Sequence, residues 1–159
     1  MTAVSRVAIA GCGVAALAAA IQLAKAGVHV DVLEAKPELS ALGSGITLQG
    51  NALRVFDALG AWEEIRDAGF AFTGLNLRAP GPGAPIVAEL PDVKSGGPNY
   101  PSTMGMSRPD LARILFDHAV SAGANVTFGA SVTGLEQSDD HVTVLVNGAP
   151  VGDYDLLIG

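Results

Sequence analysis

The start of the chain shows a hydrophobic pattern whose period changes twice. Residues 7–10 form a short apolar run, as in a strand that is buried on both faces, and a glycine follows directly. From Val14 the apolar positions recur at helical spacing, which predicts a helix that stops at Gly27. Alternating valines then predict a second strand that closes at Glu34. The pattern therefore predicts a strand, a turn, a helix and a strand.

The turn of this unit carries the spacing Gly-x-Gly-x-x-Ala, at Gly11, Gly13 and Ala16. With an acidic residue closing the second strand, this spacing is the dinucleotide-binding fingerprint. Gly11 permits the tight turn, Gly13 lets a pyrophosphate approach the backbone, and Ala16 lets the helix pack closely on the strand. The alternative is a plain βαβ unit whose glycines only make a turn.

The predicted phosphate contacts are backbone N–H groups at the start of the helix. Val14, Ala15 and Ala16 lie in its first turn, where the helix dipole favours an anion by roughly 0.3 to 1 kcal/mol. Glu34 would accept hydrogen bonds from a ribose, because a carboxylate is a strong acceptor.

Two short helices and a hairpin are predicted next. Asn51 is a candidate N-cap for a helix at 52–59 that stops at Gly60, and a second short helix follows at 62–68. Alternating segments at 72–79 and 86–90 predict a hairpin. After the hairpin, the stretch at 92–102 is rich in Gly, Pro and Ser, and it is the best candidate for a mobile loop. Tyr100 within it is a candidate substrate contact or an ordinary exposed tyrosine.

A well-marked helix start follows at Ser107-Arg108-Pro109-Asp110, with serine as the N-cap. Arg108 is locally unfavourable beside the positive end of a helix, which suggests a contact with phosphate or ribose. The alternative is an arginine that points outward into solvent. Gly123 is predicted to end the helix.

The last part of the chain predicts strands. Residues 125–128 predict a third buried strand of the dinucleotide sheet, and 131–137 with 141–147 predict a hairpin. The turn at 138–140 carries acidic residues next to His141, but adjacent residues in a turn do not easily converge on one ion, so no metal site is predicted. An apolar strand begins at 155–159.

Composition narrows the classes of protein. A chain of 159 residues with 49% hydrophobic residues is about one globular domain. The net charge of −7 argues against a nucleic-acid surface. Cys12 is the only cysteine, so no intramolecular disulfide forms, and a reducing cytoplasm fits. Cys12 either carries a reactive thiol at the helix start or is simply a small residue that fills the turn. The apolar run before it is too short for an export signal, and we expect no membrane span.

Several motifs together resemble the N-terminal part of the para-hydroxybenzoate hydroxylase-like flavin monooxygenases, over essentially the whole chain. The motifs are the fingerprint, the glycine-punctuated run at 43–48, the helix start at 107–110 and the strand at 155–159. The resemblance implies an α/β fold, a Rossmann-like FAD-binding domain with a parallel sheet and an antiparallel hairpin. That domain would comprise 1–70 and 105–159, with 71–104 in a substrate-binding sheet. Family motifs that follow this last strand are absent, so we expect a truncated chain.

The resemblance also implies FAD as the cofactor and assigns residues to it. It places Glu34 on the adenosine ribose, Arg108 near the ribose and pyrophosphate, Val132 beside the adenine, and Gly45 and Ile46 near the flavin ring. Ala35 and Lys36 belong to the same expected set of cofactor-binding residues. No catalytic residue and no metal ligand is assigned.

The activity that the resemblance implies is hydroxylation of a small aromatic or heterocyclic substrate. NADH or NADPH would reduce FAD transiently, and oxygen would then form a flavin hydroperoxide that transfers one oxygen atom to the ring. The alternatives are another FAD-dependent oxidoreductase on the same scaffold, or a non-catalytic binding module. The substrate, the choice between NADH and NADPH, and the oligomeric state stay open.

Overall fold

The fold is that of a computed structural model, which describes residues 4–40 and 43–159. Four helices and twelve strands lie within these described ranges. In chain order the elements are β1 (Arg6–Ala10), α1 (Val14–Lys25), β2 (His29–Glu34), β3 (Gly45–Gln49), α2 (Gly50–Leu59), α3 (Trp62–Ala68), β4 (Phe70–Phe72), β5 (Gly74–Arg78), β6 (Ile86–Pro91), β7 (Thr103–Ser107), α4 (Arg108–Ser121), β8 (Asn125–Phe128), β9 (Val132–Gln137), β10 (Val142–Val146), β11 (Ala149–Tyr154) and β12 (Leu156–Ile158).

The chain forms two compact units. The first contains the described residues before position 41 together with Leu111–Gly159, and the second is Gly43–Asp110. The division of the chain into a cofactor domain and a substrate sheet stays a prediction.

A parallel sheet is the centre of the first unit, with the strand order β12-β1-β2-β8. β1 is central: Val7 pairs with Val30 of β2 on one side and with Leu156 of β12 on the other. The residues Val7, Ala8 and Ile9 are almost completely buried. α1 follows β1 at the predicted position and ends before Gly27, whose φ is +83°. The predicted βαβ unit is confirmed.

β8 is the third strand along the chain to join the parallel sheet, as predicted, but the expectation that it is buried is wrong. Its residues alternate between exposed and half-buried, because it is an edge strand with β2 as its one neighbour. Phe128 packs on Phe116 of α4, with ring centroids 5.9 Å apart.

A second, antiparallel sheet of β9, β10 and β11 packs on the parallel sheet. The predicted hairpin is its β9–β10 pair, and β11 is a strand that the sequence pattern did not reveal. Asn147 and Gly148, at φ +52° and +84°, make the turn into β11. The two sheets share one core cluster of buried residues: Ala8, Leu33, Ala130, Val142, Val144, Val146 and Tyr154.

Polar side chains gather around Asp31 near the start of the parallel strands. Its carboxylate accepts hydrogen bonds from Arg6 at 3.1 Å, from Tyr154 at 3.1 Å and from Asn125 at 3.2 Å. The Arg6 guanidinium also lies 4.4 Å above the centre of the Tyr154 ring. The cluster therefore ties β11 and β8 to the central strands.

The second unit holds the sheet β3-β7-β4, the hairpin β5–β6 and the helices α2 and α3. The predicted hairpin is confirmed, with Leu75 of β5 opposite Leu90 of β6. Gly60 ends α2 as predicted, at φ +84°. β7 is the middle strand of its sheet and was not predicted.

The sequence predicted Asn51 as the N-cap of α2, and this prediction is wrong. The helix begins at Gly50 with Gln49 at the N-cap position, and no side chain there makes a cap bond. Instead, the Ser95 hydroxyl accepts a hydrogen bond from the Asn51 N–H at 3.3 Å. The cap therefore comes from the loop that follows β6.

That loop, at 92–102, contacts α2 of the second unit at several points. The Gly50 N–H donates to the Ser102 carbonyl at 3.0 Å, and the Tyr100 hydroxyl donates to Asp57. A Cβ added to Gly50 would lie 2.7 Å from the Gly96 nitrogen, so the two glycine backbones touch. Its mobility stays a prediction, and so does a substrate contact for Tyr100. Over the described part of the chain, no helix combines the length and apolar character of a membrane span.

Candidate nucleotide-binding site

The glycine turn places backbone amides at the carboxyl end of β1. Gly11 has φ +93°, which glycine adopts without strain, and its N–H donates to the Leu33 carbonyl at 2.8 Å. The first backbone bond of α1 runs from the Leu17 N–H to the Gly13 carbonyl at 2.9 Å. The amides of Val14, Ala15 and Ala16 therefore precede the hydrogen-bonded part of the helix, where an anion finds donors and a favourable dipole.

An open pocket of about 380 Å³ lies over this turn. Its walls come from the ends of two neighbouring parallel strands and from the first turn of α1. The lining residues include Gly11, Gly13, Val14, Ala15 and Ala16. A Cβ built on Gly13 would meet no protein atom within 4 Å, so this backbone faces open space.

Glu34 lies against the same turn. One carboxylate oxygen accepts from the Cys12 N–H at 2.7 Å, and the other accepts from the Lys36 N–H at 2.9 Å. The side chain is half-buried, which leaves lone pairs for a further donor such as a ribose hydroxyl. The structure therefore places the acid that closes β2 directly against the glycine turn.

Cys12 is buried inside the turn. Burial raises the pKa of its thiol to about 11, and the negative charge of Glu34 adds to the shift. A protonated thiol is a poor nucleophile, so the structure favours a small residue filling the turn over a reactive thiol.

The segment before β9 lies beside the residues that follow Glu34. The Ala130 N–H donates to the Glu34 carbonyl at 2.8 Å, and the Gly129 N–H donates to the Lys36 carbonyl at 2.8 Å. Val132 begins β9 and is half-buried against the core cluster of the two sheets. Ala35 and Lys36 are exposed. The sequence analysis did not single out Gly129 and Ala130, because only pairing between distant segments places them here.

The other predicted site residues lie in the second unit. Gly45 begins β3 opposite Ser107, and Ile46 is half-buried opposite Met106. Arg108 is the first residue of α4 and is exposed. Its side chain passes Gly43, where an added Cβ would lie 3.6 Å from Nε of Arg108. The structure thus groups these residues within the second unit, and their contact with the cofactor stays a prediction.

The parallel sheet, the glycine turn and the acid at the end of β2 define a nucleotide-binding protein of the Rossmann class. Residues 4–153 match the family described as FAD binding domain, and the chain belongs to this family. FAD is the cofactor of that family. The open face of Gly13, the amides of the first helical turn and the pocket above them fit its pyrophosphate.

The relatives extend this assignment. The 3-amino-4-hydroxybenzoate 2-monooxygenase of Streptomyces cremeus is 31% identical over 158 residues, which are 97% of this chain and 39% of that protein. The 3-hydroxybenzoate 6-hydroxylase of Polaromonas naphthalenivorans is 48% identical over 58 residues, 36% of this chain and 14% of that protein.

Among solved structures, 2-methyl-3-hydroxypyridine-5-carboxylic acid oxygenase superposes with a TM-score of 0.81 at 25% identity. The match covers 99% of this chain and 39% of that one. The chain therefore spans well under half the length of these proteins.

Proposed function

We propose that the chain is the FAD-binding part of a NAD(P)H-dependent flavoprotein monooxygenase that hydroxylates a small aromatic or heterocyclic ring. The observation that carries the proposal is the Glu34 carboxylate held on the Cys12 amide, directly beside the glycine turn. The names of the relatives, which include hydroxybenzoate and hydroxypyridine carboxylate oxygenases, support the ring substrate.

Each candidate site residue of the first unit has a binding task in the proposed function. The amides of Val14, Ala15 and Ala16 bind the pyrophosphate, and Glu34 accepts from the ribose hydroxyls. Ala35 and Lys36 lie along the same ribose, and Val132 borders the adenine. When bound, FAD supplies the redox and oxygen chemistry, and the protein supplies orientation and exclusion of water.

In the proposed function, residues of the second unit contact the cofactor and cover the substrate. Arg108 contacts the ribose and pyrophosphate, and Gly45 and Ile46 pass close to the flavin ring. The hairpin β5–β6 belongs to the sheet that covers the substrate, within the segment 71–104. We place the protein in the cytoplasm, with no nucleic-acid or membrane partner.

The test uses the complete chain that the gene encodes. The purified protein should carry flavin absorbance or acquire it from added FAD. It should then oxidise NADH or NADPH faster in the presence of a hydroxybenzoate or a hydroxypyridine carboxylate, and mass spectrometry should find one added oxygen atom in the ring product.

Other results identify the alternatives. Flavin binding with NAD(P)H oxidation but no oxygen insertion across a panel of such rings indicates another FAD-dependent oxidoreductase. A colourless protein that takes up no FAD contradicts flavoenzyme function and indicates a binding module.

A further inference from the structure

We propose that Asn147 is a positioning residue for the adenosine half of FAD. Its side-chain amide bridges two backbone groups in the connection between β8 and β9, residues 129–131. The inference rests on the proposed function, in which Glu34 accepts from the ribose and Val132 borders the adenine. In that function Asn147, which lies in the turn between β10 and β11, has no ligand contact of its own.

The bridge consists of two side-chain hydrogen bonds. Nδ2 of Asn147 donates to the Gly129 carbonyl at 3.0 Å, and Oδ1 accepts from the Ser131 N–H at 3.3 Å. A backbone bond supports it, because the Asn147 N–H donates to the Ser131 carbonyl at 2.9 Å. One amide therefore holds the residues on both sides of Ala130.

The bridged connection also contacts the chain at the end of β2. The Gly129 N–H donates to the Lys36 carbonyl and the Ala130 N–H donates to the Glu34 carbonyl, both at 2.8 Å. The connection is thus held from two sides, by the end of β2 and by Asn147. Since it leads directly into Val132, it joins the two residues that contact adenosine in the proposed function.

The conformation of the connection explains why an additional bond matters there. Gly129 is exposed and has φ +70°, and it lies outside any helix or strand. Glycine loses more conformational freedom than any other residue when its backbone is fixed. The Asn147 bridge restricts this freedom before the cofactor arrives, which lowers the entropy cost of ordering the connection on binding.

Asn147 also has a local role in its own turn, which an experiment must separate from the bridge. Its φ is +52° and that of Gly148 is +84°, so both residues are left-handed, as in a type I′ turn. Glycine adopts this conformation without strain, whereas alanine does not. Asn147→Gly therefore removes the amide and keeps the turn, and Asn147→Ala removes the amide and strains the turn.

The experiment compares these two variants in the complete chain. Isothermal titration of each apoprotein gives the Kd for FAD and for ADP, which has the adenosine and pyrophosphate of FAD but no flavin. Hydrogen exchange followed by mass spectrometry reports the order of residues 129–131, and thermal unfolding reports stability. Thr143→Val is the matched control, because it removes a side-chain hydrogen bond of the same sheet, from the Thr143 hydroxyl to Asp153 at 2.6 Å.

We expect Asn147→Gly and Asn147→Ala to raise the Kd for FAD roughly three- to fivefold, because both lose the bridging amide. The Kd for ADP should rise by a similar factor, since ADP keeps the adenosine. Exchange at 129–131 should be faster in both variants than in the wild type. Asn147→Ala should melt at a lower temperature than Asn147→Gly although the two share the same Kd. Thr143→Val should leave both Kd values within about twofold of the wild type, because its hydrogen bond lies outside the bridge.

Three results would overturn the inference. Wild-type affinity for FAD and ADP in Asn147→Gly shows that the amide does not position the site. A raised Kd in Asn147→Ala alone shows that the turn matters and the bridge does not. A raised Kd with unchanged exchange at 129–131 shows that Asn147 does not act through the connection.

Failure of the proposed function is recognised separately, in the wild type. A wild-type protein that binds neither FAD nor ADP contradicts the proposed function before any variant is compared. Faster exchange at 129–131 in Asn147→Gly would still show that Asn147 orders the connection.

Discussion

Glu34 holds its own turn as well as the ribose it is proposed to bind. Its two oxygens accept from the Cys12 and Lys36 amides. We expect Glu34→Ala to weaken FAD binding by about 1.5 to 3 kcal/mol, because a charged acceptor is lost. The apoprotein should also melt earlier, since two amides lose their partner.

Isothermal titration with FAD and thermal unfolding of the apoprotein measure these two effects. Asp139→Ala removes an exposed carboxylate from a surface turn and serves as the control. A loss of affinity below a few tenths of a kcal/mol in Glu34→Ala would exclude Glu34 from the site.

A substitution at Gly13 should affect cofactor binding without affecting folding. An added Cβ there meets no protein atom within 4 Å, and φ is −82°, so a larger residue fits the apoprotein. We expect Gly13→Val to abolish flavin uptake, because its side chain occupies the space of the pyrophosphate. Flavin content of the purified complete chain is the readout.

The control for this substitution is Gly134→Val in β9, where an added Cβ also meets nothing within 4 Å. Both variants should melt within a few degrees of the wild-type apoprotein. Normal flavin content in Gly13→Val is incompatible with a pyrophosphate over this turn.

Cys12 should be almost inert while the protein is folded. Its pKa of about 11 leaves about one thiolate in a thousand at pH 8. A chromogenic disulfide reagent should therefore label it slowly in buffer and rapidly in denaturant. Because the folded pKa lies above the ordinary value of 9.0, the related stability is present below pH 9 and is lost as pH rises toward 11.

Cys12→Ala checks that pH dependence. Its free energy of unfolding should fall less steeply than that of the wild type between pH 9 and 11. Rapid labelling of the native wild type at pH 8 would contradict the burial of the thiol.

At the scale of elements, the packing of the loop at 92–102 on α2 can be tested by substitution. A Cβ on Gly96 would overlap the carbonyl group of Gly50. Because this carbonyl is part of the backbone, it cannot rotate away as a flexible side chain could. We expect Gly96→Ala to destabilise the protein by about 1 to 3 kcal/mol. Urea unfolding of Gly96→Ala and of Gly134→Ala, which has open space, measures the difference. Equal stabilities would mean that the loop is not packed on α2.

The elements also show what the sequence could and could not predict. α1 and β2 were predictable because their periodicity and glycine stop are local signals. β7 was not: its five residues include Gly105 and Ser107, and pairing with β3 and β4 makes it a strand. The cap of α2 was misassigned to Asn51 because Ser95, which supplies it, is distant in sequence.

Some residues of the candidate site could likewise be predicted from the sequence, and others could not. The glycine turn and Glu34 could be predicted because both lie within one βαβ unit and follow fixed steric requirements. The neighbours of Glu34 at Gly129 and Ala130 depend on long-range pairing, which no spacing reveals.

For the whole molecule, the Asp31 cluster links the two sheets of the first unit and should make stability depend on pH. Burial by itself raises the pKa of Asp31, but hydrogen bonds from Asn125, Arg6 and Tyr154 outweigh it, so the pKa is lowered. The related stability is therefore present above the ordinary value near 3.8 and is lost as pH falls below it.

Asp31→Asn tests this expectation. The variant should be less stable than the wild type at pH 7, and its free energy of unfolding should change less between pH 5 and pH 3. Asp139→Asn, at an exposed turn, should follow the wild type at every pH. Parallel curves for wild type and Asp31→Asn would show that the cluster does not govern acid sensitivity.

The pairing of β1 with β12 has a consequence for biosynthesis. β1 and β2 leave the ribosome early, whereas β12 is translated only after Val142–Val146 and Ala149–Tyr154. Until then one edge of β1 presents unpaired backbone N–H and C=O groups, the kind of edge through which nascent chains aggregate or recruit chaperones. We therefore expect the slow, vulnerable stage of maturation to last until the polypeptide around Leu156 has emerged.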